Sequence, residues 1–244
     1  MNNYLISVVG PTAIGKTTLS IALAKFFNTE IISADSRQFY KEMQIGTAVP
    51  TLEELKEIKH HFIQHKSIHE DYNVGTFEKD AISCLDGLFK NNNMVVMVGG
   101  SGLYLDAVTK GLDEFPEVDD SIRKALNERL AKDGLKNLQN ELQERDPKSY
   151  ASIAIDNPHR VIRALEICLG TGKPYSSFLA KTTKVRPFNN ITIGLTAHRS
   201  QIYDRINKRV DAMMASGLLD EANRLYPFKH LNALNTVGYK ELFN

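Results

Sequence analysis

Over its first half the chain alternates short apolar runs with stretches of helical spacing. Tyr4 to Val9 reads as a buried strand, apolar and β-branched, and Glu30 to Ser33 and Met94 to Val98 read as two more. Asn190 to Thr196 alternates and predicts a further strand. Leu19, Ile21, Ala22, Leu23 and Phe26 fall at helical spacing within Thr18 to Phe27, and amphipathic stretches cover Phe77 to Phe89 and Tyr104 to Val108. Strands alternating with helices predict an α/β parallel sheet with helices on both faces. From about Asp119 to Leu179 the pattern becomes helical only. Ile122, Leu126 and Leu130 share one face, Leu135, Leu138 and Leu142 form a second stripe, and Val161 to Leu169 a third, punctuated by Pro147, Pro158 and Pro174. The expected organisation is a discontinuous core of residues 1–115 and 188–244, with a helical insertion at 116–187. Gln201 to Asn244 reads again as helical.

Composition changes this picture little. The 244 residues are 42% hydrophobic and 24% charged, with a formal net charge of +1, which is an ordinary globular balance. The near-neutral charge does not advertise nucleic-acid binding, but a local basic patch is what phosphates feel. Cys84 and Cys168 lie far apart without a CxxC partner, so neither a disulfide framework nor a thiolate zinc site is expected. The amino-terminal apolar run is far too short for a membrane span. A cytoplasmic enzyme, with no membrane association, is the expectation.

Chemistry enters between the first strand and the first helix. Gly10-Pro11-Thr12-Ala13-Ile14-Gly15-Lys16-Thr17 fits G-x-x-x-x-G-K-[ST] in full. The glycines let the backbone curl so that its N–H groups point at phosphate oxygens, and the following helix adds a favourable dipole. Lys16 supplies a mobile positive charge, and the Thr17 hydroxyl is a candidate Mg2+ ligand. The sheet core is thus expected to be P-loop NTPase-like. Such a loop should also accept nucleoside triphosphates. It names no reaction, because kinases, NTPases and diphosphate-using transferases share it.

Ser33-Ala34-Asp35-Ser36-Arg37-Gln38 follows the second strand, at the end where a parallel sheet forms its ligand crevice. Asp35 is either a turn residue or a carboxylate beside bound phosphates, there to ligate magnesium or to remove a proton from an acceptor. Gly99-Gly100-Ser101-Gly102-Leu103-Tyr104 is a second glycine-rich turn, in which Ser101 is placed to cap the next helix or to meet a ligand. Arg160 and Arg163 share a helix face, as do Arg205 and Arg209. Each pair is either a solvated surface or a phosphate grip. His60, His61, His65 and His69 have no Cys, Asp or Glu arranged with them as a zinc set.

The blocks together resemble the bacterial isopentenyl-diphosphate:tRNA transferases, the tRNA dimethylallyltransferase family. The matching stretches are GPTAIGKT at Gly10–Thr17, SADSRQFYKEMQIGTAVP at Ser33–Pro50 and VGGSGLYLDAVTKGL at Val98–Leu112. DNPHRVIRALEI at Asp156–Ile167, RINKRVDAMMASGLLDE at Arg205–Glu221 and VGYKEL at Val237–Leu242 continue the match across nearly the whole chain. The resemblance implies transfer of a dimethylallyl group from dimethylallyl diphosphate to N6 of the adenosine adjacent to the anticodon (position 37 of the tRNA). Diphosphate is released. It implies that the loop from Thr12 to Thr17 cradles the diphosphate, that Thr17 helps hold Mg2+, that Lys16 and Arg209 neutralise the leaving group, and that Asp35 is the general base. It also implies tRNA contacts at Asp35, Ser36, Arg37, Gln38, Ser101 and Arg123, and along His159, Arg160, Val161, Ile162 and Arg163. A monomer is expected.

Two departures accompany the match. The family often reads His-His-Leu-Ile-Asp where this chain has His60-His61-Phe62-Ile63-Gln64, which weakens any catalytic role at position 64. Its members also continue for several tens of residues past the VGY block with basic helices. A chain ending at Asn244 is therefore expected to hold tRNA less tightly than a longer one. Two enzyme classes compete with this reading: a P-loop kinase of small molecules or nucleotides using the insertion as a lid, and a prenyltransferase acting on free adenine nucleotides. A non-catalytic regulatory nucleotide-binding module is a third alternative, disfavoured by the Lys16, Thr17 and Asp35 set.

Overall fold

The computed structural model describes residues 2–179 and 184–244; part of the expected insertion, 180–183, lies outside them. Five strands, β1 (Tyr4–Val9), β2 (Ile31–Ser33), β3 (His60–His61), β4 (Met94–Val98) and β5 (Asn189–Gly194), form one sheet in the order β3-β2-β4-β1-β5. Every pairing is parallel. The helices are α1 (Lys16–Phe26), α2 (Leu52–Glu57), α3 (Val74–Leu88), α4 (Gly102–Lys110), α5 (Asp120–Asp133), α6 (Leu135–Arg145), α7 (Pro147–Ser152), α8 (Pro158–Thr171), α9 (Arg199–Ala215), α10 (Leu218–Leu225) and α11 (Tyr239–Leu242).

The chain forms two compact units: Met1–Gly111 with Lys184–Asn244, and Leu112–Thr183. In the first, alternate residues of the central strands feed opposite faces of the sheet, as period-2 geometry requires. Leu5, Ile32, Val95 and Met97 bury against Phe77, Ala81 and Leu85 of α3 and Leu105 and Val108 of α4. Val8, Ile31 and Val96 bury against Ile21 and Ala24 of α1. The strand expected at Asn190 to Thr196 forms at Asn189–Gly194, but it is an edge strand bonded only to β1, and most of it is exposed. Pairing with β1 holds it in place; burial contributes little.

Two elements have no counterpart in the sequence reading. Helix α2 starts at a capping box in which the Thr51 hydroxyl accepts from Glu54 N and the Glu54 carboxylate accepts from Thr51 N. Strand β3 is His60–His61 itself, so these two histidines alternate along a sheet edge.

The second unit buries Leu126 of α5, Leu138 and Leu142 of α6, and Val161, Ile162, Ala164 and Leu165 of α8, the three stripes the spacing predicts. Asp146 organises the joint between α6 and α7. Its carboxylate accepts from Ser149 N and Oγ and from Ser176 N and Oγ at 2.6–3.1 Å.

Candidate active site

Parallel pairing brings the carboxyl ends of β1, β2 and β4 side by side. From them leave the Gly10–Thr17 loop, the Ala34–Gln38 turn and the Gly99–Ser101 turn. Their approach is close. A Cβ on Gly99 would stand 2.5 Å from the Ala34 carbonyl oxygen, and one on Gly10 would stand 2.7 Å from that of Leu195. Within the loop Ala13 is left-handed at φ 59°, a strained geometry for a residue with a side chain, and Gly15 at φ 104° turns the chain into α1.

One cavity collects residues from all three turns. Lys16, Thr17, Ser33, Asp35, Gln38, Pro50, His60, Ile63, Val98, Gly99 and Gly100 line it. The Lys16 ammonium donates to the carbonyls of Gly10 and Pro11 at 2.9 and 2.7 Å. Burial lowers its pKa and Arg209 lowers it further, while Asp35 opposes both. Helix α9 lies along the outer side of the loop. Arg209 donates to the Thr12 hydroxyl at 3.4 Å and Arg205 to the Ile14 carbonyl at 3.3 Å. Burial also lowers the Arg209 pKa, again opposed by Asp35. Two cations and one carboxylate thus share a partly desolvated space beside the loop, which is a site built for a multiply charged anion and a proton acceptor.

Asp35 takes a turn position at the edge of the cavity. Its Oδ1 accepts from Arg37 N at 3.1 Å, as a turn residue does, while the carboxylate lines the cavity. Ser101 stands at the start of α4 without capping it through its side chain. Its hydroxyl instead accepts from Ser36 N at 3.2 Å and pairs with Ser36 Oγ at 3.1 Å, tying the Asp35 turn to the Gly99 turn. Arg37 sends its guanidinium to the carbonyls of Asn232, Ala233 and Asn235. Gln64 is used structurally: its N donates to the Gln38 carbonyl and its amide to that of Lys41.

His60 also lines the cavity, a place its spacing in the sequence does not give it. Its Nδ1 pairs with the Ile58 carbonyl at 2.8 Å, which makes Nδ1 the protonated nitrogen and leaves Nε2 an acceptor that is buried with no partner. The preference of the His60 stretch for extended structure is the signal that could have placed it on an edge strand reaching the crevice.

In the helical unit, α8 carries most of the other nominated positions. His159 and Arg160 are exposed. Arg163 and Arg123 both donate to Oε2 of the buried Glu166, at 2.9 and 2.8 Å, and Arg163 also lies over the Phe115 ring. Val161 and Ile162 are 0% and 4% exposed, and their side chains belong to the core of the unit. On a helix, two residues between arginines that reach the surface can face inward, and these do.

Residues 38–244 match the family model described as IPP transferase. The chain is 62% identical over 244 residues to a tRNA dimethylallyltransferase of Christiangramia forsetii, covering all of this chain and 81% of that one. The chain belongs to the IPP transferase family. It is 59% identical to a tRNA dimethylallyltransferase of Flavobacterium psychrophilum, covering 99% of this chain and 81% of that protein. Among solved structures, the tRNA isopentenylpyrophosphate transferase of Bacillus halodurans is similar at TM-score 0.68 and 38% identity, over 99% of this chain and 76% of that one. A eukaryotic dimethylallyltransferase acting on tRNA is similar at TM-score 0.76 and 28% identity, over 93% of this chain and 56% of that one. No helix among the described residues is long and apolar enough to cross a membrane.

Proposed function

We propose that this protein transfers the dimethylallyl group of dimethylallyl diphosphate to N6 of the tRNA adenosine adjacent to the anticodon, releasing diphosphate. The observation that carries the reading is the single cavity in which the P-loop residues Lys16 and Thr17 face Asp35. In a member of the IPP transferase family, a phosphate cradle beside a carboxylate suits displacement of diphosphate by a weak nitrogen nucleophile.

The roles follow from the chemistry. The bond between the allylic carbon and the diphosphate oxygen breaks, the bond from N6 to that carbon forms, and the N6 proton passes to the Asp35 carboxylate. An exocyclic adenine amine is a poor nucleophile, so a positioned base and a stabilised leaving group are both needed. Among the described residues Lys16 donates to two loop carbonyls, which leaves a third N–H for an incoming oxygen. Arg209 offers planar donors from the opposite side of the loop. The P-loop backbone from Gly10 to Thr17 cradles the phosphates. The target adenine leaves its stack to enter the cavity, which costs least in a single-stranded loop. Arg123, Arg160 and Arg163 of the helical unit are proposed to grip tRNA phosphates, with Glu166 setting the spacing of two of them.

The residues fit a magnesium ion. The cavity offers hard oxygen donors in the Thr17 hydroxyl and the Asp35 carboxylate. Among the described residues, no three His, Cys, Asp or Glu side chains cluster as a cage. That suits a small cation carried mainly by substrate phosphates and water, with Thr17 as its protein ligand. When bound, it neutralises charge developing on the diphosphate.

The test is incubation with labelled dimethylallyl diphosphate, Mg2+, and either tRNA or AMP. Label entering tRNA is the expected result. Label entering AMP alone selects the free-nucleotide prenyltransferase, and ATP-dependent phosphorylation without prenyl transfer selects the kinase. In the same assay Asp35→Ala lowers turnover roughly a hundredfold or more while dimethylallyl diphosphate still binds. Near-normal turnover of that variant would reject Asp35 as the base.

A further inference from the structure

Glu221 of α10 is 2% exposed. It accepts from three successive backbone N–H groups, Gln44, Ile45 and Gly46, at 2.9–3.1 Å, and from the Tyr239 hydroxyl at 2.6 Å. Tyr239 is fully buried, and burial together with Glu221 holds its pKa far above the usual phenol range. The fit around the loop is tight. A Cβ on Gly46 would stand 2.6 Å from the Tyr239 ring. A charged group withdrawn from water and matched by four donors fixes one loop conformation strongly.

The same loop holds Gln38. The next two carbonyls along the chain, Thr47 and Ala48, accept from Gln38 Nε2 at 3.1 and 2.9 Å, and Ala48 is itself left-handed at φ 47°. Two carbonyls around one end of the amide force that end to be the NH2, since an amide oxygen there would face two acceptors. Gln38 Oε1 is thereby left as an acceptor. Its protein neighbour is the Ser33 hydroxyl at 3.5 Å, the limit of a hydrogen bond, and Ser33 lines the same cavity as Gln38 and Asp35.

We propose that Glu221 and Tyr239 are positioning residues that, through the Gln44–Ala48 loop, hold Gln38 with its carbonyl oxygen toward the cavity, where it selects a substrate base carrying an N–H donor. The inference rests on the proposed reaction, since it assigns the nucleobase side of that cavity. Glu221 and Tyr239 touch no substrate themselves. Their effect is confined to base recognition and leaves the P-loop side unaltered.

A double-mutant cycle tests this in the full chain with tRNA as acceptor. Gln38→Ala is expected to raise the KM for tRNA roughly tenfold. Glu221→Gln and Tyr239→Phe are expected to raise it in the same direction while the dissociation constant for dimethylallyl diphosphate, measured by calorimetry, stays within about twofold. In the Gln38→Ala background both substitutions should then add almost nothing to KM. Additive effects, or an equal loss of dimethylallyl diphosphate affinity, would overturn the proposal and leave Glu221 a stability residue. Tyr239→Phe removes one hydrogen bond without unpairing the buried charge, so it carries the cycle if Glu221→Gln folds poorly. A wild-type chain that prenylates no tRNA would overturn the reaction on which the inference rests, an outcome distinct from additivity in an active enzyme.

Discussion

Gly99 shows how much a single position can constrain. Its missing side chain lets the end of β4 lie against Ala34, and an added methyl would stand 2.5 Å from backbone oxygen and 3.0 Å from the Ala34 Cβ. Backbone cannot move aside as a side-chain tip can, so Gly99→Ala must push the Ala34–Asp35 turn away from the P-loop. The expected cost is about 1–3 kcal/mol of stability. Turnover should fall more than dimethylallyl diphosphate affinity, because Asp35 moves while Lys16 does not. Thermal melting and single-turnover kinetics measure the two, and a normal rate with normal stability would contradict the close approach. Gly100 next door has room, its nearest neighbour being Asp35 Oδ2 at 3.7 Å. In the sequence both glycines look alike; which one is pinned depends on a strand 65 residues away. Arg37 and Glu221 are similar cases, since their partners lie far along the chain and follow no local pattern.

Among the elements, α9 carries the clearest division of labour. Arg205 and Arg209, four apart, face the P-loop, while Asp204 and Lys208 pair with each other on the helix surface. The two arginines differ in setting: Arg205 is exposed and Arg209 is half-buried beside Asp35 and Lys16. Charge acts more strongly where water is excluded. Arg209→Ala should therefore weaken dimethylallyl diphosphate binding by about tenfold or more, and Arg205→Ala by only a few-fold. Calorimetric titration of both variants decides it, and equal losses would remove the distinction. The i,i+4 spacing made this face legible in advance, and the apolar runs made β1 and β4 so. Helix α2 carries a capping signal in Thr51 and Glu54 but was not read, because six residues with no buried side chain leave no apolar periodicity to notice. Strand β3 is two residues long, below the length at which alternation means anything, and it exists because its backbone completes the edge beside β2.

At the level of the whole molecule, the sheet unit adds buried histidines to its carboxylates, and acid should act on the two units at different pH. In the first unit, burial lowers the pKa of His60 and His65 from the ordinary 6.5. Both His65 ring nitrogens are buried without a partner, among the rings of Phe39, Phe62 and Tyr72. A histidine with a lowered folded pKa takes up its proton more readily when unfolded. Its contribution is therefore present above pH 6.5 and is lost as the pH falls through the window below that value. In the helical unit, burial pushes the Asp146 carboxyl up, but its bonds from Ser149 and Ser176 outweigh this and hold it below the ordinary 3.8. Its contribution is present above 3.8 and disappears only at lower pH. Stepwise acidification should accordingly loosen the sheet unit first, as the pH falls below 6.5, with the helical unit retained to lower pH. Hydrogen exchange followed region by region from pH 7 to 3, corrected for intrinsic rates, separates the two. Protection should be lost first around β3 and the 62–72 segment, and last in α6 and α8. Earlier loss in α6 and α8 would mean that the buried histidines do not govern acid stability. Substituting His60 and His65 by asparagine should flatten the first step without moving the second, because Asp146 is held by Ser149 and Ser176 of its own unit.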